Sequence, residues 1–455
     1  MLMAVDRYKD MSHTIEQVKL EYAAFVAQGQ ATASADWVLD LLERKLSGRP
    51  IRAYFLVKTT RWLTQLQSPL QRLRTKALPG FDRLFSAQLP LVFEVVITIQ
   101  YLHNQILDGK SGITDRLSIS KNMLAANLLK EQLYRYIDQE IPQWARAKTI
   151  AAVRSCFEQV DQGQFLEQTQ NTYSAYQNGQ QDWRETIPSA ILDRIDLSAV
   201  SPFLDKLKLD LPIILHEQLD VYFHRMYLTC ASLFVEAVTL VGQLLRIPAK
   251  RMYSVQQFSV CYGVMRQLVN DNADWIPSHF GLDTKTKTAA DSFSDLRNTT
   301  LTLPLFFYLA TGQGGKIDYF LERQMCWSSA FENVVFDEIL DSDALFMSVQ
   351  NTRILAELAL AYLPVDDLDA YYLADSCEIV HWNKFLAPCL QHPAYRNYRK
   401  TTYRKRTRNL ILQLRKERSL QPTTSKRRQL DWGQWLEPVY PPAISRLHAV
   451  LRDIH

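Results

Sequence analysis

Two stretches of the 455-residue chain place oxygen-bearing side chains where a single ligand could meet them. The first is Tyr101–Arg116, YLHNQILDGKSGITDR, where Asn104 and Asp108 are four residues apart and share one face of a helix. The second is Gly263–Trp275, GVMRQLVNDNADW, where Gln267, Asn270, Asp271 and Asp274 recur at spacings of three and four. Two helices offering hard oxygen ligands in this way could face one another across a bundle and hold magnesium, which bridges readily to phosphate. The charge of a bound diphosphate would then be neutralised by the metals and by nearby Arg or Lys. A third polar segment, DLRNTTLTLP at Asp295–Pro304, follows.

The elements that must position these residues read as helices. Apolar residues recur at three and four over Asp36–Lys45, Leu89–Ile106, Lys121–Ile137, Leu211–Leu245, Ser254–Asn272 and Leu301–Ala310, and no run alternates with period two. Breakers separate them at Ser47–Pro50, Gly109–Gly112, Pro277–Thr284 and Gly312–Gly315. Only 14 glycines occur in the chain, and hydrophobic residues make up 47% of it, which suits long helices around a large core. Asn171–Gln181 reads as a polar loop. The chain divides into a helical body over 1–364 and a C-terminal extension over 365–455.

Charge is uneven. Tyr395–Arg428 holds thirteen Lys and Arg against Glu417 alone, so the net +4 conceals a basic segment and an acidic body. That segment is expected to dock on the body rather than bind nucleic acid. The cysteines Cys156, Cys230, Cys261, Cys326, Cys377 and Cys389 are scattered without a CxxC pair, which excludes a disulfide framework or zinc site and favours a reducing cytosol. The N-terminus lacks a secretory layout. The apolar Leu89–Leu102, interrupted by Glu94, falls short of a membrane span, so no transmembrane segment is expected. No GxxxxGK[ST], GxSxG or HExxH string supports nucleotide hydrolysis, serine-hydrolase or zincin chemistry. His216, Asp220 and His224 lie four apart on one stripe and form a further candidate metal or acid–base set.

The order and spacing of these motifs resemble the trans-isoprenyl diphosphate synthases (polyprenyl synthetases) and their class I terpene-synthase relatives, over roughly Arg44 to Ala310. The basic GKRxRP box resembles Gly48-Arg49-Pro50-Ile51-Arg52, and the DDxxD motif resembles Asn104–Asp108. Arg116 is the best match to a downstream arginine pair. Leu228–Phe234 occupies the place of a KT-bearing helix without its lysine. FQxxDDxxD is matched by Arg266–Asp274, and DLxxGKxTLP by Asp295–Pro304, with Thr300 in the lysine position.

The resemblance implies an all-α, isoprenyl diphosphate synthase-like helical bundle with a C-terminal helical extension. It implies Mg2+ at Asn104, Asp108, Asn270, Asp271 and Asp274, catalysis turning on Asp108, Asp271 and Asp274, and substrate held by Arg49, Arg52, Arg116 and Gln267. A prenyl diphosphate is the implied substrate, with isopentenyl diphosphate as a second one, in a cytoplasmic homodimer. The reaction would ionise an allylic diphosphate for cyclisation or chain elongation, in a dry pocket whose candidate lining is Phe93, Tyr101, Tyr222, Phe223 and Tyr262. Two carboxylates of the first motif and one of the second are amides here, which weakens magnesium binding. A non-catalytic homologue, acting as a binding protein or partner subunit, is the alternative.

Overall fold

Apolar spacing at three and four becomes helix throughout. The computed structural model describes residues 2–29, 51–108, 116–179, 182–275, 292–311, 314–323 and 327–362, and no strand occurs among them. The longer helices are α1 (Leu2–Gly29), α2 (Ile51–Gln65), α3 (Phe81–Leu107), α4 (Arg116–Glu140), α5 (Gln143–Thr169), α6 (Ile213–Leu244) and α7 (Ala249–Asp274). A single turn, α8 (Ser294–Arg297), precedes α9 (Leu303–Thr311), α10 (Ser329–Asp341) and α11 (Ala344–Ala361). The all-α bundle expected from the sequence is therefore the observed architecture. The extension over 365–455, its basic Tyr395–Arg428, the Asp36–Lys45 helix and Arg49 lie outside the described residues.

The core is apolar and continuous, and aromatic rings tie its central helices together. Phe55 of α2 stands 4.8 Å from Phe234 of α6 and 5.1 Å from Tyr262 of α7, with Phe234 and Tyr262 4.9 Å apart. Offset and edge-on rings at such separations add about 0.5–1.5 kcal/mol per pair beyond their buried area.

Two glycines set how closely the helices cross. A Cβ on Gly163 of α5 would fall 2.7 Å from Leu228 and Thr229 of α6, and one on Gly263 of α7 only 2.3 Å from the Ala231 Cα. Both crossings press on one place, the π-helical turn Tyr227–Ala231 inside α6. Such a turn inserts an extra residue into the helical ladder and re-aims the side chains around it.

Membrane-spanning length needs correction. The helix holding Leu89–Leu102 runs over Phe81–Leu107, and with Ile213–Leu244 it is long and apolar enough, by length and composition, to cross a bilayer. Most of each apolar window is buried in the bundle. The buried Glu94 has an internal use: its Oε1 accepts the Ala53 N–H at 2.9 Å, which satisfies an otherwise unpaired donor in the first turn of α2.

Asn171–Gln181, expected to be a loop, contains the short helix Tyr173–Asn178, because the Thr172 hydroxyl accepts the Ala175 N–H and caps it. The cysteines Cys156, Cys230 and Cys261 are reduced and buried.

Candidate functional site

The second motif lies on the last turns of α7, and its carboxylates turn inward. Asp271 is 2% exposed and accepts the Tyr222 hydroxyl at 2.6 Å and the Gln267 amide at 2.7 Å. The buried Arg225 guanidinium, one helical turn beyond Tyr222, approaches Asp271 at 3.5 Å and Glu167 of α5 at 3.7 Å. It also lies over the Tyr222 ring. Burial pushes the Asp271 carboxyl up, and Arg225, Tyr222 and Gln267 pull it back towards the charged form. Burial likewise opposes the Arg225 charge, but Glu167 and Asp271 outweigh it and raise its affinity for the proton.

Asp274 is committed to a different task. Its Oδ1 accepts the Ser294 N–H and hydroxyl, at 3.2 and 2.7 Å, and its Oδ2 accepts the Asp295 N–H at 2.9 Å. Those amides open α8, so Asp274 caps the third motif. The cap holds a strained segment. Phe293 and Thr299 both have left-handed backbones, with φ of 57° and 54°. Thr299 stands where the resembled DLxxGKxTLP motif has glycine, so the glycine-like conformation persists in a β-branched residue.

The first motif meets this assembly from α3. The Asn104 carbonyl oxygen is taken by the Gln164 amide of α5. Asp108 closes α3 as its C-cap, and its backbone carbonyl accepts the Asn298 amide of the third motif at 3.2 Å. The three motif segments are therefore physically linked, the first to the third through an amide and backbone and the second to the third through the Asp274 carboxylate.

Of the expected metal ligands, Asn104 serves Gln164, Asp271 serves Tyr222, Gln267 and Arg225, and Asp274 serves α8, while Asn270 is exposed. No group of three or more His, Cys, Asp or Glu able to hold a metal occurs among the described residues. Among the described residues, the Asp271 and Asp274 carboxylates are thus occupied by protein partners.

Of the expected substrate contacts, Gln267 orients Asp271, and Arg116 stands exposed at the start of α4, outside the site's hydrogen bonds. Arg52 is half-buried at the start of α2, with its Nε enclosed and unpartnered.

The His216–Asp220–His224 stripe does not converge. His216 pairs with the Leu211 carbonyl at 3.0 Å and His224 with the Asp220 carbonyl at 2.7 Å. The Asp220 carboxylate instead binds Lys208 at 2.6 Å. Among the proposed aromatic lining, Phe93, Tyr222, Phe223 and Tyr262 are buried core, and the Tyr101 hydroxyl accepts the Gln105 amide.

Sequence reading missed Arg225, Glu167 and Gln164. The available signal for Arg225 was the single Lys or Arg of an otherwise largely apolar α6, three residues before the position of the lost lysine. Glu167 and Gln164 carry no motif and are placed only by the packing of α5.

The sequence matches no protein-family model, and no curated protein matches it. Its fold does have solved counterparts. The geranylgeranyl pyrophosphate synthase from Corynebacterium glutamicum, complexed with isoprenyl diphosphate and magnesium, is 14% identical with a TM-score of 0.53, over 81% of this chain and 98% of that one. Geranylgeranyl pyrophosphate synthetase from Pyrococcus horikoshii is 12% identical with a TM-score of 0.52, over 81% and 97%. The polyprenyl synthase from Caulobacter crescentus, complexed with calcium and isoprenyl diphosphate, is 15% identical with a TM-score of 0.51, over 82% and 97%. With the three motif segments meeting at the ends of α3 and α7, the chain has the trans-isoprenyl diphosphate synthase-like fold.

Proposed function

We propose that the protein is an isoprenyl diphosphate synthase-like enzyme that ionises an allylic prenyl diphosphate. The observation that carries this reading is the buried Tyr222–Asp271–Arg225 group, joined by the half-buried Glu167, beside the joined motif segments. Burying several ionisable groups costs free energy that an inert core would avoid, so their presence at this place supports a polar ligand, with Arg225 as the group an anionic diphosphate would meet. In the reaction, the allylic C–O bond breaks heterolytically and the diphosphate leaves with the electron pair. The cation is then captured by isopentenyl diphosphate in chain elongation, or by an internal alkene or water in terpene synthesis. A homodimer in a reducing cytosol belongs to the same reading.

A second reading, a non-catalytic homologue that binds or partners, is favoured by one observation: both Asp274 oxygens are used by the backbone of α8. Incubation with geranyl, farnesyl and geranylgeranyl diphosphates separates the readings, each with and without isopentenyl diphosphate and with and without magnesium. Pyrophosphate release that needs isopentenyl diphosphate means elongation, and release without it means terpene synthesis. No release under any condition means the non-catalytic homologue.

A further inference from the structure

We propose that Arg52, Arg225 and Arg266 form an oxyanion site that holds the diphosphate of a prenyl ligand by guanidinium contacts, without a divalent metal. The inference rests on the functional reading above and names how that same site recognises its ligand.

The aromatic cluster fixes where these arginines stand. Arg52 is three residues before Phe55 on α2, and Arg266 is four residues after Tyr262 on α7, so each lies about one turn from the rings that clamp α2, α6 and α7. Cys230, in the π-helical turn, is one turn before Phe234 on the third of these helices. Gly263, three residues before Arg266, packs on Ala231 beside Cys230, and Arg225 stands 3.5 Å from Asp271, so the arginines of α6 and α7 flank this crossing. The Cys230 thiol lies within electrostatic range of both, of Arg52 and of Asp271. Arg225 supplies the innermost charge, and its Nε, like that of Arg52, is enclosed without a partner. Arg52 and Arg266 form no ion pair among the described residues, so their charge is not cancelled locally.

Against the resembled motifs, two lysine positions are lost, but the larger change is a loss of negative charge. Three carboxylates of the resembled motifs are amides here, and the aromatic position that opens FQxxDDxxD is Arg266. Negative charge that would attract a cation has been removed, and a guanidinium has been added. Arginine is suited to replace a metal at phosphate because its planar fork donates two parallel hydrogen bonds and never loses its charge.

The test is calorimetric titration of the full chain, in EDTA and in magnesium, with inorganic pyrophosphate and with farnesyl diphosphate. Binding of both in EDTA is expected, within about threefold of the affinity in magnesium. Arg266→Gln and Arg52→Gln should each weaken binding in EDTA by about tenfold, the effect of one charge-assisted hydrogen bond. Both side chains are only half-buried, and unchanged melting curves would confirm that the variants fold. Binding of farnesyl diphosphate only when magnesium is present would overturn the metal-free site and leave the proposed function standing. No binding of farnesyl diphosphate in either buffer would overturn both. Full affinity in both variants would remove the arginines from the site.

Discussion

The Tyr222 hydroxyl donates to the Asp271 carboxylate at 2.6 Å, inside the protein, and joins the middle of α6 to the end of α7. Both residues are essentially shielded from water, so this bond competes with no solvent. It also sets the position of Asp271 relative to Arg225, which sits on the turn after Tyr222 and reaches across to Glu167 of α5. Three helices thus depend on one small charged group. Gly163 and Gly263 allow the close crossings that bring it together.

Removing Arg225 should be costly because it strands the buried Asp271 and the half-buried Glu167. Arg225→Met is expected to lose about 3–5 kcal/mol of stability, the usual penalty for breaking a buried pair on one side. Adding Asp271→Asn should restore part of that loss, because the amide needs no counter-charge. Urea unfolding of the two single variants and the double variant measures the coupling. Strict additivity would show that the two residues do not interact.

Asp274 is expected to behave as a helix cap. Asp274→Ala should cost about 2 kcal/mol, since three donors at the start of α8 lose their acceptor. The loss should be the same with and without magnesium. If Asp274 were chiefly a metal ligand, magnesium would raise the melting temperature of the wild type and leave that of the variant unchanged.

The helices were legible in the sequence because apolar spacing at three and four defines them locally. Leu89–Ile106 and Ser254–Asn272 reappear within α3 and α7, whose starts lie eight and five residues earlier and whose ends lie one and two residues later. The oxygen-bearing residues were legible for the same reason, as i, i+3 and i+4 sets. Their partners were not. Asp271 is held by Tyr222 from 49 positions away and Asp274 by Ser294 from 20, and no local pattern encodes such contacts. Spacing alone therefore reads a carboxylate that could bind a metal, whereas the fold shows Asp274 bound to its own backbone.

Thr299 offers a test of stored strain. A β-branched residue at φ 54° costs about 1–2 kcal/mol relative to a relaxed backbone, and its N–H and carbonyl are held by Leu296 and Tyr173. Thr299→Gly relieves that strain and gives back part of the gain through the freer unfolded chain. A net stabilisation of about 0.5–1 kcal/mol is expected in urea unfolding. A destabilised variant would mean that the threonine side chain contributes more than its backbone costs.

His224 gives the pH dependence its sign. Burial pushes its imidazole below the ordinary histidine value, and the Asp220 carbonyl and carboxylate oppose that only in part. The ring also packs 4.4 Å from the buried Trp183, which helps to enclose it. A group whose folded value is depressed contributes stability that is complete above its unfolded value, about 6.5, and is lost as the pH falls through the folded one. The protein should therefore lose stability on acidification from neutral pH through the histidine range, before the carboxylates titrate. His224→Gln keeps a polar, uncharged side chain and should remove part of that slope. Urea midpoints of both proteins across this range decide the matter: parallel curves would show that His224 titrates alike in the folded and unfolded chains.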